Sequence, residues 1–282
     1  MDIASIIGLV LGFGSIIVAA EVSHANMALL YEKYEAFVLV FGGTLGAAFL
    51  SFPLDTCLYS LREGFRIMLF DHKVEYDELI SRFTRFANIA RRDGLLVLEN
   101  QLADVSDPSI RRAIEMMIDG QNAEVIRTVL ETETDVAVAR MRDTEAFFNA
   151  LGGFSPTLGI LGTVLGLIAM LGKLGALTDS GNIAGAIGGE TAAAFIATFL
   201  GVFFANLLWL PIGAKVKARI ARVELEREVI TEAILMLAAG NSPSIMRQKL
   251  QAYVALPSNP GPTARDEADA ADALTAAAPQ TT

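Results

Sequence analysis

Four stretches of this chain, residues 3–20, 36–54, 146–172 and 191–214, contain no charged residue. Each is long enough to cross a hydrocarbon core of roughly 30 Å as a helix rising about 1.5 Å per residue. Helices of soluble proteins rarely stay uncharged for so long, so the four runs predict four transmembrane helices. The chain as a whole is 53% hydrophobic and 19% charged, against about a quarter charged in a soluble domain. That deficit is concentrated in the four runs. The first run follows Asp2 with no basic segment ahead of it, and no small-x-small cleavage site precedes a soluble domain, so it reads as a retained span and not a signal peptide.

The basic residues give an orientation. Of 22 Lys and Arg, 12 lie between the second and third runs and 8 follow the fourth; only Lys33 and Lys173 fall in the other two connections. An even number of spans puts both basic regions on one side, and the positive-inside bias makes that side, with both termini, the cytoplasm. The outer face is reduced to short loops around residues 21–35 and 173–190.

The expected fold is an all-α integral membrane protein with four transmembrane helices and a helical cytoplasmic domain. Its parts are spans one and two (1–54), a cytoplasmic helical domain (55–145), spans three and four (146–214), a cytoplasmic helical extension (215–255) and a disordered tail (256–282). In the domain, Leu79, Phe83, Phe86 and Ala90 recur at helical spacing before Gly94, a natural stop. Asp107 and Pro108 fit an N-cap and first helical position, with Gly120 as terminator. From Asn122 a helical pattern runs unbroken into span three, and the pattern of span four continues to Gly240. Ser242-Pro243 restarts a short helix to about Tyr253. The tail has no apolar period.

Little points to catalysis. Phosphate-binding loops, HExxH, paired CxxC and nucleophile elbows are absent, and Cys57 is the single cysteine. His24 and His72 fall on opposite sides of the membrane in this topology. No enzyme, cofactor or metal is expected, and a net charge of −10 argues against nucleic acid.

The third and fourth runs are unusual for lipid anchors. Pro156, Gly159, Thr163, Gly166 and Met170 share one face of the third; Thr191, Ala194, Thr198, Gly201 and Ala205 share one face of the fourth. Small residues at this spacing let membrane helices pack closely, and Gly162 and Gly166 form a GxxxG. The hydroxyls of Thr163 and Thr198 either face a conduit or bond their own backbone one turn back. Pro156 and Pro211 each remove a backbone hydrogen bond. They read as kinks at one depth, serving as a gate or as bends that splay the helices. None of the four runs contains Asp, Glu, Lys, Arg or His; Glu21 and Glu190 sit at the outer rim. An ion pathway usually needs an ionisable group at membrane depth, so another subunit would have to bring it.

The runs SPTLGILGTVLGLIAML and TAAAFIATFLGVFFANLLWLP, the start MDIASIIGLVLGFG, and the segments ARRDGLLVLE and MMIDGQNAEVIRTVLETE resemble the MotA/PomA family of flagellar stator subunits. The likeness extends over about residues 1–255. It implies a homopentamer around two copies of a MotB/PomB-type partner (a 5:2 complex) in the bacterial inner membrane, whose partner supplies a membrane aspartate. Proton or sodium flow would turn the ring against the flagellar rotor protein FliG. By matching motif, Thr163 and Thr198 would line the ion path, and Pro156 and Pro211 would couple ion binding to movement. Arg91 and Glu99, with Arg92 and Glu133, would contact the rotor. Gly159, Gly162, Gly166 and Gly201 remain packing residues. Within the resemblance a threonine at 163 is met more often in sodium-type stators, and hydroxyl oxygens can replace water around sodium, which tilts the expectation slightly toward that ion. The related TolQ/ExbB energisers of outer-membrane transport share the proline-threonine spans but usually have three helices; they are the alternative.

Overall fold

The computed structural model describes residues 3–24, 34–70, 74–105, 107–176 and 183–255. The tail and the centres of both short loops lie outside them. All regular structure among the described residues is helical, and four helices are long and apolar enough to span a membrane. This is the expected all-α membrane architecture.

Helix α1 covers Ile3–Val22. Helix α2 covers Tyr34–Ser51 and widens into a π turn at Val38–Gly42. The uncharged run continues to residue 54, but the helix stops at Ser51 because Pro53 has no N–H to continue it. Pro53 instead caps α3, Leu54–Leu69. Helix α4 is Tyr76–Asp93, followed by a 3-10 segment at Leu95–Asp104 and α5, Pro108–Ile118. Helix α6 is one element from Ala123 to Ala176, with Pro156 inside it. Helix α7 occupies residues 183–238, with a π turn at Ala205–Trp209. Helix α8 is Pro243–Ala255.

The stops and starts have local causes. Gly94, Gly120 and Gly240 adopt φ of 88°, 75° and 68°, a region that costs residues with a Cβ. The Asp107 carboxylate accepts the amides of Ser109 and Ile110 at 2.8 and 3.4 Å, relieving two donors that the first turn cannot satisfy. The Asn122 side chain does the same for Glu124 at 3.0 Å.

Packing divides the chain into two compact units: Met1–Lys73 with Asp135–Ile220, and Val74–Thr134 with Ala221–Thr282. This departs from a cytoplasmic domain bounded at 55 and 145, limits that follow the first and last charges. Helix α3 is the reason. It is amphipathic and buries Cys57, Ser60, Gly64 and Met68. A Cβ at Gly64 would collide with the Phe148 ring, and the Ser60 hydroxyl donates to Thr144 at 3.3 Å. The charged helix therefore packs with the membrane-spanning elements.

In the other unit, α4, the 3-10 segment, α5 and the start of α6 share one apolar core with the end of α7 and α8. Phe83, Leu98, Ile110, Ile126, Ile234 and Leu250 are all buried in it. A single core cannot straddle a bilayer. Residues 74–134 and 221–255 consequently lie on one side, and the chain between them crosses an even number of times.

Candidate functional site

The third and fourth spans, in α6 and α7, meet along a seam of small residues. A Cβ at Gly159 would stand 2.9 Å from the Ala197 carbonyl oxygen, one at Gly201 2.6 Å from that of Ser155, and one at Gly166 2.8 Å from the Ala194 Cβ. Gly162 approaches Ala197 and Leu39 in the same way. Backbones this close gain dispersion contacts that larger side chains would prevent, which matters where no hydrophobic effect separates helix from lipid. Ser155, fully buried, donates across the seam to the Gly201 carbonyl at 3.0 Å.

The two threonines face each other at the middle of this seam. The Thr163 and Thr198 hydroxyls are hydrogen-bonded to one another. The Thr163 hydroxyl, with one proton to give, lies within donating distance of its own i−4 carbonyl, Gly159, at 3.2 Å and of the Ala194 carbonyl of the opposing helix at 3.4 Å. Thr198 reaches the Gly159 carbonyl at 3.4 Å. Each hydroxyl thus approaches the carbonyl one turn before the other threonine. Four oxygens from two helices converge in a setting without charge, and both side chains are only partly buried. The local backbone bond one turn back is present at Thr163, and the same hydroxyl also faces the opposing helix.

Further along the seam, Thr191 lies 3.4 Å from the Met170 sulfur. Beyond it Lys173 and Glu190 form an ion pair between the two helices, with the carboxylate the more buried partner at 16% exposure against 58%. That pair closes the end of the seam nearest the α6–α7 connection.

Toward the other end, the prolines are not level. Gly152 is packed under Leu210, and Gly213 against Asn149 and Phe148. Pro211 therefore stands opposite residues 149–152, whereas Pro156 follows the Ser155–Gly201 contact. The two sit one to two helical turns apart, roughly 6–10 Å, and not at one depth. Their surroundings also differ. Pro156 is accommodated within a continuous α-helix. Pro211 follows directly on the π turn, in which the Leu210 amide donates to the Ala205 carbonyl. A wider turn is a recognised response when the regular i−4 ladder is interrupted. The indole of Trp209 in that turn is 2% exposed, packs 5.8 Å from the Phe41 ring, and is the buried polar side chain without a partner among the described residues.

The charged candidates belong to the other unit. Arg91 and Glu99 flank the Gly94 stop, both exposed, and neither has an ion-pair partner among the described residues. Arg92 is paired with Asp93 at 2.8 Å, and this contact holds the Asp93 carboxyl below its ordinary range. Glu133 is paired with Arg112 of α5. A groove on α4 is lined by Arg85, Asn88, Ile89, Arg91 and Arg92. The set therefore splits: Arg91 and Glu99 are available to another molecule, while Arg92 and Glu133 have partners within the chain. Sequence pattern does not single out Ser155, Lys173, Glu190 or Trp209 as site residues; their contacts depend on neighbours distant in the chain.

Residues 101–229 match the MotA/TolQ/ExbB proton channel family. The chain is 34% identical to the Motility protein A of Bacillus subtilis over 255 residues, covering 90% of this chain and 91% of that one. Its fold superimposes on a chain of the flagellar MotAB stator complex from Bacillus subtilis with a TM-score of 0.80 and 32% identity, covering 94% and 98% of the two chains. It is equally similar to a chain of C. jejuni MotAB, at 0.80 and 30%, covering 92% and 98%.

Proposed function

Because the chain belongs to the MotA/TolQ/ExbB proton channel family, on its motility-protein-A branch, we propose that the Thr163–Thr198 seam forms the chain's share of an ion path. The protein is a stator subunit of the flagellar motor, a channel component and not an enzyme, and it works with a MotB-type partner. Similarity along 90% of the chain to a motility protein, together with four spans, favours this reading over an energiser of outer-membrane transport.

In the proposed mechanism five copies surround two MotB-type partners in the bacterial inner membrane, with both termini cytoplasmic. The asymmetry of Lys and Arg supports that orientation. The seam supplies oxygens and no charge, so the partner's membrane aspartate supplies the carboxylate that a proton or sodium ion needs at this depth. Two hydroxyls and two carbonyls replace part of the ion's hydration shell. Pro156, three residues before the Gly159 carbonyl of this cluster, and Pro211, beside the π turn, are the positions where the helix ladder yields. Movement of the spans is passed to the exposed charges of the Val74–Thr134 unit, where Arg91 and Glu99 engage the rotor protein FliG.

The observation that carries the reading is the oxygen cluster shared by Thr163, Thr198, Gly159 and Ala194. Its test is Thr198→Ala in the complex with its partner. Uptake of protons and of sodium into vesicles is measured separately, alongside swimming. The expected result is an intact complex with a loss of about five-fold or more in uptake of the carried ion, since removing an aligned polar group of this kind costs roughly one to three kcal/mol. Normal uptake and normal swimming would defeat the proposal.

A further inference from the structure

The Lys173–Glu190 pair lies on the same seam as the threonines, beyond the Thr191–Met170 contact, at the end nearest the α6–α7 connection. Within the third and fourth spans themselves every residue is uncharged. Glu190 is therefore the acidic group nearest the oxygen cluster along this seam, and its carboxylate is largely sheltered while its lysine partner is not. We propose that Glu190 is the cation-collecting group at the outer mouth of the path and that Lys173 is a tethered competitor for it, so that an entering ion must displace an ammonium from the carboxylate. This rests on the seam being the ion path.

The physical basis is charge competition at one carboxylate. A cation approaching a low-dielectric mouth is drawn by a carboxylate and repelled by an ammonium. The Lys173 side chain is mostly exposed, on a flexible four-carbon stem, so its ammonium can leave the sheltered carboxylate for solvent. When the ammonium swings into solvent, the carboxylate can receive the ion and hand it down the seam. When it returns, it offsets the carboxylate's charge. Lys173 thereby sets the ion concentration at which the motor begins to fill. Glu190 is a positioning and specificity group here, acting on entry and not on the coupling step below.

A purely structural pair and a competing pair predict different signs. If the pair only fastens the ends of α6 and α7, removing either member breaks the same contact and shifts behaviour in the same direction. If it meters entry, the two removals act oppositely. The experiment measures uptake of the carried ion into vesicles containing the full complex with its MotB-type partner, as a function of external ion concentration. Glu190→Gln is expected to raise the half-saturating concentration about five-fold, the factor a unit charge exerts at roughly 4 Å in water. Lys173→Gln is expected to lower it by a similar factor, and Lys173→Arg to leave it near wild type. Maximal uptake in each should stay within about two-fold of wild type, because the coupling residues are untouched.

Shifts in the same direction, or no shift in either variant, overturn the proposal. Should Glu190→Gln fail to assemble, Lys173→Gln decides alone: an unchanged or higher half-saturating concentration refutes competition. The path itself is judged separately by Thr198→Ala. Normal uptake in that variant removes the conduit reading, whereas opposite shifts at 173 and 190 with loss of uptake at 198 support both.

Discussion

A methyl group at position 201 would lie 2.6 Å from the Ser155 carbonyl oxygen and 3.0 Å from the Gly159 Cα. Both neighbours are backbone, so relief requires the helices to part. Gly12 offers the contrast: a methyl there meets only the tip of the Leu207 side chain, which can rotate. Gly201→Ala is therefore expected to cost about 1–3 kcal/mol, the usual range for overpacking, and to weaken the Thr163–Thr198 contact. Gly12→Ala should cost less than about 1 kcal/mol on the same basis. Thermal unfolding of the detergent-solubilised complex checks the ranking, and equal losses would contradict it. The glycine spacing was legible in the sequence because period and residue size are local properties. Ser155 was not. Its bond to a carbonyl 46 residues away exists only once the two spans pack, and a serine beside a proline has several local uses.

At the scale of elements, the spans were readable because lipid tolerates no charge over such lengths, and the stops at Gly94, Gly120 and Gly240 because positive φ selects glycine. The π turns were not readable. Val38–Gly42 contains no residue that demands a wide turn, and the one at Ala205–Trp209 answers to a proline that lies after it. The two are nonetheless neighbours, since Phe41 packs against both Phe204 and Trp209. Replacing Pro211 by alanine restores the missing N–H and removes the reason for the wide turn. The helix before the turn then rotates relative to the helix after it, carrying Trp209 out of its aromatic pocket. Trp209 is the only tryptophan in the chain. Its emission is accordingly expected to shift to longer wavelength in Pro211→Ala, read on the purified chain. Unchanged emission would mean that packing against Phe41, and not the proline, fixes the turn.

For the whole molecule, the charged surface and the membrane seam belong to different compact units, so their functions should separate under mutation. Arg91→Glu reverses an exposed charge without breaking any ion pair among the described residues. The expectation is a strain with at least a five-fold loss of swimming speed, in which vesicle uptake of the ion stays within about two-fold of wild type, consistent with surface charges contributing little to folding. Glu133→Arg differs, because it opposes Arg112 across α5 and α6 and should lower thermal stability as well. Loss of ion uptake in Arg91→Glu would show that the two functions are not separable. Motif resemblance alone points to Arg91, Glu99, Arg92 and Glu133 in the sequence; that the last two are occupied within the chain comes from how α4 to α6 fold together.

The core shared by residues 74–134 and 221–255 also has a meaning for biosynthesis. As the chain leaves the ribosome, Phe83, Ile110 and Ile114 are made long before Ile230, Ile234 and Leu250, and the core they share stays incomplete until the final two spans have entered the bilayer. Should one of those spans fail to insert, the closing segment is stranded on the wrong side and the early half keeps its apolar face bare. Completion of that core thus depends on topology: only a correctly threaded chain can bury it in full.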